Sequence, residues 1–303
     1  MGRTRWSVAL TAMTLALTAG ALGGCTSGGT SGTSSGSPIP TRTIATQTRD
    51  PKLAALVPAA VAADGKLTFA TDAAFPPNEF PGPDGRLVGM DIDLGTAVAQ
   101  KLGLTADFRN SPFPTIIPGV AAGRLEAGLS SFSINNPRLE QVDMISYFVA
   151  GTSLGVKAGN PDGLRIDNLC GTRLGVLTGT VQADDARKRN AECTALSRPP
   201  VVVLELPNDL EMTKALTDGR IQGILADSPV VGYTARNTNG AVVPSGQVFD
   251  TQPYGIVIAK HQAQFATALQ GALQQLIEEG TYRTILVRWN VQDGAITHSD
   301  VQS

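Results

Sequence analysis

The chain has 303 residues, with 26 acidic and 24 basic side chains, a formal net charge of −2 and only 17% charged residues. That balance leaves no basic stripe for nucleic acid and no acidic tail. Two His and three Cys, without CxxC or HExxH spacing, are too few soft ligands for a protein-built zinc site, and no pattern calls for a cofactor.

At the amino terminus, Arg3 and Arg5 precede an uncharged apolar run from Val8 to Leu22. This is the pattern of a secretory signal, and it is shorter than the ~20 apolar residues of a membrane span. The run ends in Leu22, Gly23, Gly24 and Cys25, which resembles the bacterial lipobox, with Gly23 standing where Ala or Ser is commoner. Residues 1–24 are therefore expected to be a cleaved lipoprotein signal and Cys25 the lipidated terminus. The Gly/Ser/Thr tract from Thr26 to Pro38 cannot bury a core and reads as a flexible tether, placed over residues 25–50.

From Lys66 onward, short apolar strands alternate with amphipathic helices, the pattern of an α/β protein with a mostly parallel sheet. Strand Lys66–Thr71 comes first. Leu94, Val98 and Leu102 then recur at helical spacing within Asp91–Gly103, and Ile116, Ile117 and Val120 do so within Phe113–Gly123. Glu126–Ser133 reads as a strand, and Asn136 before Pro137 as a helix start. A second series follows: strand Arg173–Leu177, a loop at Thr178–Thr180, a polar helix to about Asn190, and strand Val201–Leu206. After it come a helix carrying Leu210, Thr213 and Leu216, a turn at Asp218–Arg220, strand Ile221–Asp227 and a helix opening at Ser228–Pro229. Tyr254–Lys260 is strand-like, and Phe265, Leu269, Leu273 and Leu276 form the stripe of a closing helix ending near Gly280. Two such series predict two lobes, with the site beyond the carboxyl ends of the strands, in the loops around Asp72, Ser131, Thr180 and Asp227.

Taken in order, these segments resemble the amino-acid-binding solute receptors, family 3, of bacterial ABC importers. The likeness is strongest in GMDIDLGTAVAQKL (Gly89 to Leu102), joined by Ala70–Phe80, Asn136–Asp143, Leu177–Gln182, Ile224–Val230, Tyr254–Lys260 and Gly280–Asn290. It implies the two-lobed periplasmic binding protein type II fold, a venus flytrap with two hinge strands, here expected at Gly151–Gly159 and Tyr254–Lys260. The lobes are expected to be residues 51–153 with 254–303, and residues 159–250.

The same resemblance implies a non-enzyme that holds a free amino acid and delivers it, as a monomer, to an ABC transporter permease. Arg138 matches the arginine that clamps the ligand carboxylate, where a planar fork gives two charge-assisted bonds. Ser131, Ser133, Thr178, Thr180 and Val181 lie in the loops that would add donors. Asp227 matches the acid for the ammonium and Asp72 one for the side chain, while Phe75 and Phe113 match the aromatic walls. Lacking an extra Arg or Lys at these positions, the pocket suits a neutral polar or cationic amino acid. Export leads to an oxidising compartment and lipidation uses Cys25, so Cys170 and Cys193 are expected to pair. The alternatives are an amino-acid-sensing lipoprotein and a cyclohexadienyl-dehydratase-like enzyme. The latter needs a general acid, and Pro137 stands where the family often has one.

Overall fold

A computed structural model of the protein describes residues 43–303. The signal, Cys25 and most of the expected tether lie outside the described residues. No helix among the described residues is long and apolar enough to cross a membrane.

In chain order, the first half comprises α1 (Pro51–Ala54), α2 (Ala59–Ala62), β1 (Lys66–Thr71), a small hairpin of β2 (Phe80–Pro81) and β3 (Leu87–Val88), and α3 (Met90–Lys101). It continues through β4 (Thr105–Asn110), α4 (Phe113–Ala121), β5 (Ala127–Ser133), α5 (Asn136–Leu139) and the long β6 (Val142–Lys157). The second half comprises β7 (Arg173–Leu177), α6 (Val181–Ala195), β8 (Val202–Leu206), α7 (Asp209–Thr217), β9 (Gly223–Asp227) and α8 (Ser228–Asn237). The chain returns along β10 (Val242–Ala259) to α9 (Ala263–Glu278), α10 (Thr281–Trp289) and β11 (Val301–Gln302).

Strands run in the order β4-β1-β5-β10-β6-β9-β7-β8, with β11 laid along β6. β1 is parallel to β4 and β5, and β7 is parallel to β8 and β9. These two parallel halves are joined through β6 and β10, which pair antiparallel along almost their whole length. Parallel strands covered by helices on both faces need apolar residues throughout, and β5 and β9 are buried at every position. The core divides with the sheet. Phe69, Leu94, Leu129, Tyr147, Tyr254 and Phe265 belong to one cluster, while Leu154, Leu174, Val176 and Leu225 belong to another across the crossing. Two lobes follow from this division.

Phe265, Leu269, Leu273 and Leu276 are fully buried, so the apolar stripe read for α9 is its core face. α3 is entered through Gly89, whose φ is 142° and whose absent side chain would lie 1.9 Å from the Asn78 carbonyl oxygen, so only glycine fits there.

Several boundaries differ from the sequence reading, each for a physical reason. Asn135, not Asn136, caps α5, because its extended backbone brings its side-chain oxygen to the Arg138 N–H. α6 runs past Asn190 to Ala195, held by the half-buried Asp185–Arg189 pair and, on its buried face, by Cys193, which is disulfide-bonded to Cys170. α7 buries Met212, Ala215 and Leu216, leaving Leu210 79% exposed. β10 starts twelve residues before Tyr254; its first part alternates half-buried and exposed residues, so no apolar run marks it. Tyr254–Ala259 lies inside the first lobe's sheet between β5 and β6, and the crossing falls just before it, where register shifts interrupt the ladder between Ser245 and Gln252.

The expected tether is also shorter at its far end. Ile44 already packs on the first core, the Gln47 N–H donates to Gln100 Oε1 at 2.8 Å, and the Asp50 N–H donates to the Lys101 carbonyl at 2.8 Å.

Candidate functional site

The carboxyl ends of the strands converge on a cavity of about 290 Å³ between the lobes, a volume near the lower end of the roughly 300–1,000 Å³ of small-molecule pockets. The ten residues expected from the sequence, Asp72, Phe75, Phe113, Ser131, Ser133, Arg138, Thr178, Thr180, Val181 and Asp227, all line it.

On the first lobe, β1 delivers Asp72, β5 delivers Ser131 and Ser133, and the starts of α4 and α5 deliver Phe113 and Arg138. Arg138 Nη1 donates to the Ser133 carbonyl at 2.8 Å, and its guanidinium carbon lies 5.5 Å from the ring centres of both Phe113 and Phe132. Those rings stack with centroids 4.5 Å apart, so the cation lies against an aromatic pair that fixes its position. Burial lowers the guanidinium pKa to about 10, opposed by the charges of Asp227 and Asp184, and it stays protonated at neutral pH. Asp72 Oδ2 accepts from the Phe113 N–H at 2.9 Å, and burial raises its pKa. Ser131 adopts φ 51°, a left-handed conformation rare outside glycine.

On the second lobe, Thr178 to Gln182 form the turn between β7 and α6. Thr180 caps α6 by accepting from the Ala183 N–H at 3.2 Å, and Thr180, Val181 and Gln182 of this helix start line the cavity, where first-turn N–H groups lack helical carbonyl partners. Asp227 ends β9 with 7% exposure. Its Oδ1 accepts from Gln182 Nε2 at 2.7 Å, and the Tyr254 hydroxyl adjoins it without a well-aligned partner of its own. Although Asp227 occupies the cap position of α8, its side chain makes no capping bond. Burial pushes its pKa up to about 6, so at neutral pH it is an anion with room for a donor.

The lobes meet at this seam. Arg138 Nη2 is 3.5 Å from the Gly179 carbonyl, Phe80 and Tyr233 rings are 5.7 Å apart, and Phe75 packs on the second lobe's core while lining the cavity. Sequence reasoning missed Ser130, Gln182 and the backing ring of Phe132. Gln182 lies one residue beyond Val181 at the start of a helix, and its polar head on a buried face was the available signal. Ser130 and Phe132 alternate with Ser131 and Ser133 along a strand buried on both faces, so no pattern separates them from core.

A sheet crossed by two long strands, with a cavity between its halves lined from both of them by a few charged and polar groups among apolar walls, defines a two-lobed ligand-binding protein of the periplasmic type II fold. Residues 67–292 match the bacterial extracellular solute-binding proteins, family 3, and the chain belongs to that family. It is 32% identical over 247 residues to the arginine-binding protein ArgT of Corynebacterium glutamicum, an alignment spanning 81% of each chain. Among solved structures, it resembles an ancestral arginine-binding protein bound to arginine, with TM-score 0.69, 32% identity, and coverage of 74% of this chain and 98% of that one. The fold agrees equally with an ancestral arginine-binding protein bound to glutamine, with TM-score 0.68, 32% identity, and coverage of 75% and 98%. These relatives are binding proteins, and so is this one; it is not an enzyme.

Proposed function

We propose that the protein captures a free amino acid with a cationic side chain, arginine foremost, outside the cytoplasm and delivers it to the permease of an ABC importer. The observation that carries this is the charge of the cavity. One guanidinium, Arg138, and two carboxylates, Asp72 and Asp227, line it, giving a net −1. An amino acid whose carboxylate meets Arg138 and whose ammonium meets Asp227 leaves Asp72 for a cationic side chain. A glutamate-like ligand would place a second anion beside an unpaired carboxylate, which is costly in a dry site. The arginine-binding relatives support the same reading.

Binding contacts on both lobes make the closed state the high-affinity one. The grouping of the core supports lobes of residues 51–153 with 254–303, and residues 159–250, turning about the β6–β10 crossing. In this reading the mature chain begins at lipidated Cys25, which anchors a monomer to the extracytoplasmic membrane face; mass spectrometry of the membrane-bound protein checks that terminus.

Calorimetry with arginine, lysine, glutamine and glutamate tests the ligand class. Arginine is expected to bind tightest and glutamate weakest, and Asp72→Asn to narrow the preference for arginine over glutamine by roughly tenfold, the equivalent of about 1.4 kcal/mol. Glutamate binding as tightly as arginine overturns the assignment.

A further inference from the structure

Behind the cavity wall are two carboxyl groups that the ligand reading does not use. Glu79 and Asp91 are both 0% exposed. Glu79 Oε1 accepts from the Ser130 hydroxyl at 2.6 Å. Asp91 Oδ2 accepts from the Ser131 N–H at 2.8 Å, the Ser131 hydroxyl at 3.1 Å and the Tyr147 hydroxyl at 2.9 Å. The remaining oxygens, Glu79 Oε2 and Asp91 Oδ1, are buried and receive no hydrogen bond from any donor among the described residues. The two side chains are within hydrogen-bonding reach of each other, and among the described residues their other interacting neighbours are Asp72, Ser130, Ser131 and Tyr147, none of them a cation.

Two ionised carboxylates in contact in a dry interior repel strongly, and two orphaned buried oxygens each carry a desolvation cost. One proton between Oε2 and Oδ1 removes both problems. Its owner follows from the donors. Asp91 already accepts three hydrogen bonds on one oxygen, which stabilises the anion, whereas Glu79 accepts one. We propose that Glu79 is kept as a carboxylic acid that donates to the Asp91 carboxylate, and that this pair positions the serine wall and Asp72 for ligand binding. Burial and the Asp91 charge holding Glu79 well above the usual carboxylate range agree with this.

The positioning runs through specific bonds. The Ser130 hydroxyl donates to Glu79 and accepts from the Asp72 N–H at 3.0 Å, so the buried acid fixes the direction of a hydroxyl that holds a cavity carboxylate in place. Ser131 keeps its left-handed backbone with both its N–H and its hydroxyl donating to Asp91. Ser130, Ser131 and Asp72 all line the cavity. Glu79 and Asp91 therefore act as positioning residues, and the single negative charge they retain lies behind the wall where it favours a cationic ligand.

The effect on binding rests on the cavity being the ligand site; the protonation state does not, so two measurements separate the claims. Infrared difference spectroscopy on unliganded protein at about pH 7.5, where an ordinary glutamate is ionised, is expected to show a protonated-carboxyl stretch. That stretch should move with isotope-labelled glutamate and vanish in Glu79→Gln. Calorimetry is expected to find Glu79→Gln within about threefold of wild-type affinity for arginine, because the amide keeps one donor and one acceptor in place. Folded Glu79→Leu, which offers neither, is expected to lose roughly tenfold or more. Absence of the protonated glutamate band in wild type overturns the proton assignment even if no variant folds. A Glu79→Gln protein that binds as poorly as Glu79→Leu overturns the positioning role.

Discussion

The two lobes build their halves of the cavity by different means. The first offers side chains fixed from behind: Arg138 against two aromatic rings, Asp72 tied to the start of α4, and serines bonded to buried acids. The second offers the turn around Thr178 and Thr180, the start of α6 with Val181 and Gln182, and one carboxylate, Asp227. Its two core clusters are each smaller than the first lobe's main one, and it carries the Cys170–Cys193 disulfide. On the proposed function, the difference divides the labour: the first lobe sets which ligand is held, and the second closes over it.

The strongest test of that division is Arg138→Ala. With the ligand carboxylate buried and unpaired, binding should weaken by about 2–5 kcal/mol, roughly 30-fold or more, while Arg138→Lys retains part of the affinity because a point charge lacks the bidentate fork. Calorimetry within about twofold of wild type for a folded Arg138→Ala protein would show that the first lobe does not hold the carboxylate.

The disulfide should matter to stability and little to affinity. Its cysteines are 23 residues apart in sequence, and replacing both by Ser should lower unfolding free energy by roughly 3 kcal/mol in the chain-entropy model, measured by denaturant titration. A large loss of affinity without loss of stability would give the second lobe a greater share in ligand choice than the comparison allows.

Asp227 tests the second lobe's one charge. In the empty site its pKa is about 6, and pairing with an ammonium favours the ionised form, so binding below that pH must displace a proton. Affinity should be full above about pH 7 and fall as pH drops through 6, by up to roughly tenfold per unit. Asp227→Asn should bind weakly and lose that slope. A flat profile in wild type would separate the ammonium from Asp227.

The smallest effect is expected at the seam. Gly179 has φ 80°, and a side chain there would approach Pro114 Cγ of the opposite lobe to 2.9 Å. Gly179→Ala adds about 1–2 kcal/mol of left-handed strain together with that contact, and should weaken binding roughly fivefold or more. Small-angle scattering with saturating ligand should show a larger share of open molecules.

Much of this architecture could be read from residue order alone, because buried parallel strands are compact apolar runs. β1 and β7 fall where Lys66–Thr71 and Arg173–Leu177 placed them, and the strand-end rule singled out loops that the fold brings to one cavity. What was illegible is long-range by nature. The outer part of β10 is a strand because β6 pairs with it, not because its own residues ask for it. Phe132 supports Arg138 only once β5 and α5 are side by side. The Glu79–Asp91 pair joins residues on either side of a hairpin, and acids twelve positions apart give no sign that they share an interior.

The segment that leads into the first lobe has a mechanical consequence. Ile44 to Val57 packs against the first core, Asp50 bonds to Gln275 of α9 as well as to the backbone of Lys101, and Leu53 fills the space above Gly271. A pull on the amino terminus therefore enters the molecule through the first lobe, and reaches the second lobe through the crossing of β6 and β10 and the seam contacts beside the cavity. If the chain is held by that end, as the proposed anchor would hold it, the first lobe is the fixed jaw and the second the free one, and the cavity-lining side chains of the first keep their orientation toward the point of attachment.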